Sequence, residues 1–104
     1  MTIDDVAMLL RRSERRLVRE GFYSNQFGQE GYFAEYQCRG VFLKFSISST
    51  QTAFAPDEVA VAILDPRRWI QRSKLYSNQR GQIGLEATVH SAGHAFMLTT
   101  TPNS

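Results

Sequence analysis

Cysteine is nearly missing from this chain. Cys38 is the only one in 104 residues, so no internal disulfide framework can form. Together with His90 and His94 it supplies too few soft ligands for a closed zinc site. No apolar run approaches the ~20 residues that a membrane span requires. The opening Met1-Thr2-Ile3-Asp4-Asp5 has neither the basic nor the apolar region of a signal peptide. Glycine-rich phosphate loops of the Walker or dinucleotide type are also lacking. These absences lead us to expect a soluble, cytoplasmic, non-enzymatic protein with no metal and no cofactor.

What is present is enough for one domain. Hydrophobic residues make up 42% of the chain and aromatics 12%, too apolar a composition for disorder. A chain of this length buries roughly 60–65% of its unfolded surface without staples.

The most informative pattern is internal. Tyr23–Gly31 reads YSNQFGQEG and Tyr76–Gly84 reads YSNQRGQIG, at an offset of 53. Extending that register without a gap pairs residues 3–49 with 56–102 and gives 14 identities. These include Asp4/Asp57, Val6/Val59, Ala7/Ala60, Arg15/Arg68, Arg19/Arg72, Ala34/Ala87 and Gly40/Gly93. The pattern reads as two repeats, 3–49 and 56–102, joined by a linker over 50–55.

Each repeat reads as a helix followed by a hairpin. Ile3, Val6, Leu10 and Leu17 share one stripe at about 100° per residue. Thr2 is placed to cap that helix, and Gly21 to stop it. Tyr32, Ala34 and Tyr36, then Leu43, Phe45 and Ile47, alternate with polar neighbours, as half-buried strands do. Leu85, Ala87, Val89, Phe96 and Leu98 repeat the scheme. Val59–Leu64 reads either as a short helix or as an extra buried strand. In the helical reading Asp65 caps a second helix that starts at Pro66 and runs to about Ser73. An αββ unit is too small to hold a core alone, so two must pair. The expected fold is an α+β two-layer sandwich: a four-stranded antiparallel sheet with helices on one face, αββ-αββ, with pseudo-twofold symmetry.

The net charge is only +2, but its distribution is uneven. Residues 66–80 carry five bases and no acid. Arg11, Arg12, Arg15, Arg16 and Arg19 are expected on the helix arc opposite Val6, Leu10 and Leu17. Ten of the twelve bases are arginine, whose planar guanidinium suits phosphate and carboxylate. The pair Arg15/Arg19 recurs as Arg68/Arg72, each ending four residues before a YSNQ loop. We therefore expect Arg15, Arg19, Arg68 and Arg72 as anchors for nucleic acid phosphates. Lys74, Arg80, Tyr23, Asn25, Gln26, Tyr76, Asn78 and Gln79 would be secondary contacts. In the loops, Gly28/Gly81 and Gly31/Gly84 are expected to supply positive φ.

A rival reading is a small protein-binding inhibitor, immunity protein, chaperone or adaptor gripping an acidic protein with the same arginines. A third is a homo-oligomer joined through the outward sheet face, where Phe33, Phe42 and Met97 lie beside Glu35, Gln37, Lys44 and His90. His90 and His94 flank a turn and could meet across a hairpin end, but two ordinary imidazoles are the simpler reading.

Overall fold

The computed structural model describes residues 1–12, 14–38 and 40–102. Eight elements follow one another: α1 (Ile3–Arg11), β1 (Arg16–Ser24), β2 (Glu30–Cys38), β3 (Val41–Ser48), α2 (Pro56–Ile63), β4 (Trp69–Ser77), β5 (Ile83–Ser91) and β6 (His94–Pro102). All strands join one antiparallel sheet in the order β1-β2-β3-β6-β5-β4. This corrects the expected four-stranded αββ-αββ sandwich: the sheet has six strands and the order is αβββ-αβββ. The additional strands are β1 and β4, which form its two edges. Each element of the second half begins 53 residues after its counterpart in the first.

The helices are shorter than the hydrophobic stripe implied. In α1 the Thr2 hydroxyl accepts from the Asp5 amide, and the Asp5 carboxylate accepts from the Thr2 amide. That reciprocal cap fixes the start, and α1 ends at Arg11. Leu17 therefore lies on β1, not on the helix, and Gly21 is a strand residue rather than a helix stop. In α2, Pro56 occupies the first turn and Glu58 accepts the Ala55 amide at 3.0 Å. Val59–Leu64 is thus helical through Ile63, not an extra strand. The second helix expected from Pro66 does not form. The Asp65 carboxylate accepts the Arg67 amide at 2.8 Å, and the Asp65 carbonyl accepts Arg68 at 2.9 Å. This is a proline-containing turn that feeds directly into β4.

Both helices cover the same face of the sheet. Val6, Ala7 and Leu10 from α1 meet Val59, Ala60 and Ile63 from α2 over Tyr32, Ala34, Leu43, Phe45, Ile47, Leu85, Val89, Phe96 and Leu98. At 9 and 8 residues the helices span the central strands but not the edges. Leu17 and Phe22 on β1, and Ile70 and Leu75 on β4, consequently remain more than 40% exposed.

The hairpin turns follow their backbone chemistry. Ala92 and Gly93 both have positive φ (51° and 81°), the two-residue turn whose twist matches that of its strands. Gly40 has φ 79° at the equivalent turn, while Arg39 lies outside the described residues.

Candidate functional site

With both helices on one side, no element among the described residues covers the other face of the six-stranded sheet. Register fixes what it displays. One row across all six strands is Gly21–Phe33–Ser46–Met97–Thr88–Arg72. The adjacent row is Arg19–Glu35–Lys44–Thr99–Glu86–Lys74. Arg16 pairs with Gln37, and Gln37 with Phe42; Trp69 pairs with His90. Among the described residues the face therefore holds Arg16, Arg19, Lys44, Arg72 and Lys74 against Glu35 and Glu86. Most of the acids sit elsewhere: Asp4, Asp5, Asp57 and Glu58 begin the helices, and Asp65 holds the turn before β4.

Local contacts order this face. Arg19 bonds Glu35 at 2.8 Å, and its guanidinium carbon lies 5.3 Å from the Phe33 ring centroid. The Lys44 ammonium lies 5.8 Å from the same ring. Phe33 is thus flanked by two cations, an arrangement worth about 0.5–1 kcal/mol per contact at exposed sites. On the far side, Trp69 stacks on His90 with centroids 4.8 Å apart, and His90 hydrogen-bonds Gln71. Arg72 approaches Glu86 at 3.9 Å.

The four expected anchors separate. Arg19 and Arg72 project from opposite edge strands onto the open face, five strand spacings or about 24 Å apart. Arg15 instead bonds the Arg12 carbonyl at the helix-to-strand corner. Arg68 donates to the Ile63 carbonyl at 2.7 Å and lies 3.8 Å from Asp4, tying the end of α2 to the start of α1. Arg15 and Arg68 are therefore framework residues, not members of helical pairs, because the segments that contain Arg19 and Arg72 are strands. Arg11 and Arg12 likewise stand apart from Arg16 and Arg19, on the other side of the corner.

The YSNQ loops are hairpin connections. Asn25 Oδ1 accepts from the amides of Phe27 (2.9 Å) and Gln29 (3.0 Å), while its Nδ2 donates to Gln29 Oε1 at 2.7 Å. Asn78 makes the same three bonds to Arg80 and Gln82. Both asparagines are committed to their own turns, while Gln26, Gln79 and Arg80 present exposed side chains at the two loop tips. Because β1 and β4 run antiparallel, the two loops lie at opposite ends of the sheet. Gly28 and Gly81 have φ 76°, as the turn requires. Gly31 and Gly84 do not have positive φ. They are glycine because Tyr23 and Tyr76 lie across them, donating to the carbonyls of Ile47 (3.4 Å) and Thr100 (2.7 Å). Any Cβ at either glycine would strike the tyrosine ring and that carbonyl.

The two histidines do not converge. His90 is on the open face, whereas His94 Nδ1 donates to the Ser48 carbonyl (2.9 Å) and its ring packs edge-on against Phe54. Among the described residues no cluster of three or more His, Cys, Asp or Glu is positioned to hold a metal. Burial pushes the Cys38 thiol above its ordinary pKa, the opposite of what a nucleophile needs.

Sequence reasoning missed Arg16 and Trp69 as face residues and the grouping of Arg19, Phe33 and Lys44. A signal was there: Arg72, Lys74 and Tyr76 alternate with period two. So do Arg19, Gly21 and Tyr23. No protein-family model, curated protein or solved structure matches this chain. Among the described residues, no helix is long and apolar enough to cross a membrane.

Proposed function

We propose that this chain is a non-enzymatic binding module whose helix-free sheet face engages single-stranded nucleic acid. One observation carries the reading: five cations against two carboxylates on that face, interspersed with Phe33, Phe42 and Trp69. Positive side chains track a phosphate backbone, and flat rings on a sheet accept unstacked bases. A duplex is a poorer fit, because a twisted sheet face offers no helix or ribbon to a major groove. Arg19, Arg72, Lys44 and Lys74 are the proposed phosphate contacts. The test is fluorescence anisotropy with short single- and double-stranded DNA and RNA between low and moderate salt. Single strands should bind more tightly than duplexes. The paired Arg19→Gln and Arg72→Gln substitutions should weaken every sequence and flatten the salt slope by roughly 0.7 for each phosphate no longer neutralised. Absence of binding to all four ligands at low salt would remove this reading.

A second reading, an inhibitor, immunity protein, chaperone or adaptor for an acidic protein, draws on a different feature. The open edges of β1 and β4 carry exposed Leu17, Val18 and Phe22, and Trp69, Ile70 and Leu75. Unpaired edges accept a partner's strand. A stoichiometric protein recovered from nuclease-treated extract, and absent when Leu75→Lys is the bait, would favour it. Bulges at Leu17/Arg19 and Ile70/Arg72, with charged neighbours, oppose pairing of these edges with another copy.

A further inference from the structure

Resting on the nucleic-acid reading, we propose that of the two positions Phe33 and Glu86, 53 residues apart on this face, Phe33 alone is a base-stacking seat and its counterpart contributes charge alone. A depression of about 330 Å³ is lined by Arg19, Tyr23, Phe33, Lys44, Ser46 and Met97. Its ring is presented by a specific packing device. Gly21 sits opposite Phe33 on β1, and a Cβ there would lie 3.2 Å from Phe33 Cε1, so the ring lies over the neighbouring backbone. Arg19 and Lys44 flank it, two cations placed to meet the phosphate adjoining a base stacked on the ring. Cation–ring attractions at exposed sites are weak, so both side chains can turn from ring to phosphate.

The positions 53 residues further on are built differently. Lys74 replaces Gly21, Glu86 replaces Phe33 and Met97 replaces Lys44. No ring can lie flat there, and a carboxylate, only partly offset by Arg72 at 3.9 Å, occupies the place of the stacking surface. What the two halves share is framework: Ala34/Ala87, Tyr23/Tyr76 and Gly31/Gly84. On the open face Arg19 recurs as Arg72, while the ring and its lysine neighbour do not recur. The ligand class is therefore a nucleotide within a single strand, its base on Phe33 and its 5′- or 3′-phosphate between Arg19 and Lys44.

The test uses the full chain and fluorescein-labelled five-nucleotide DNA and RNA, with thermal melts on each variant. Phe33→Leu is expected to weaken binding roughly tenfold, the loss of one stacked base. Phe33→Trp should retain it, and Glu86→Gln should retain or tighten it. Arg19→Gln should cost more than Arg72→Gln. Should Phe33→Leu misfold, Phe33→Trp with an oligonucleotide abasic at each position in turn reads the same stacking. Unchanged affinity of a folded Phe33→Leu, or equal losses at Arg19 and Arg72, would overturn the single seat while leaving nucleic-acid binding intact. No binding by the wild-type chain would overturn both.

Discussion

Phe45 on β3 faces Leu98 on β6, and the two stand 53 residues apart in the chain. The sheet order β1-β2-β3-β6-β5-β4 reads the same from either edge once each strand is exchanged for the one that begins 53 residues away. Phe45 and Leu98 are both fully buried, so the halves meet in their core rather than at a surface seam. Neither half closes that core alone.

This places the same demand on Leu43 and Phe96, also 53 apart and both fully buried. Truncation of either to Ala should cost roughly 2–5 kcal/mol in denaturant melts. A loss below about 1 kcal/mol, well under the scale of large-to-small core changes, would mean the sheet turns its other face inward.

Gly31→Ala and Gly84→Ala should each destabilise by about 1–3 kcal/mol, as overpacking does. The clash is with a tyrosine ring and with a β3 or β6 carbonyl, so Tyr23→Ala in the Gly31→Ala background should recover only part of the loss. Full recovery on thermal melting would show that the carbonyl clash is relieved without cost.

Arg68→Gln should behave differently from Arg19→Gln. Arg68 bonds the Ile63 carbonyl at the end of α2, so its loss should cost about 1 kcal/mol of stability and leave ligand affinity unchanged. Arg19 is an open-face residue, so its replacement should spare the melt and weaken binding. Reversed outcomes would exchange the roles assigned to the two.

Tyr32 and Tyr36 are both pushed above the ordinary tyrosine pKa, by burial first and then by the Glu20 charge. The protonated phenol of Tyr32 donates to Glu20. A raised folded-state pKa gives stability that is complete below the unfolded value of about 10 and is lost as pH climbs above it. Stability should therefore fall steeply above pH ~10, and Tyr32→Phe should make that fall shallower. An alkaline limb of the same steepness in the variant would refute the assignment.

Cys38 should resist thiol reagents in the folded state, because its thiol is buried and its ionisation suppressed. Modification by a disulfide reagent near neutral pH should follow unfolding, and accelerate with added denaturant. Rapid stoichiometric labelling without denaturant would contradict this burial.

The sequence by itself determined the 53-residue periodicity of the pattern, the two-residue alternation of β2, β3, β5 and β6, and the cap at Thr2. Each is a local consequence of side-chain type: apolar residues at every second position face one core, and a hydroxyl before two acids satisfies free amides. Only the tertiary structure decided that Arg16–Ser24 and Trp69–Ser77 are strands. Both are edge strands exposed on both faces beyond the reach of the short helices, and each carries a bulge that breaks alternation. Their arginine-rich composition therefore reads as continued helix until β2 and β5 supply hydrogen-bonding partners. The same pairing separated Arg19 from Arg15 and Arg72 from Arg68, since a strand turns successive residues to opposite faces where a helix would have gathered residues four apart on one.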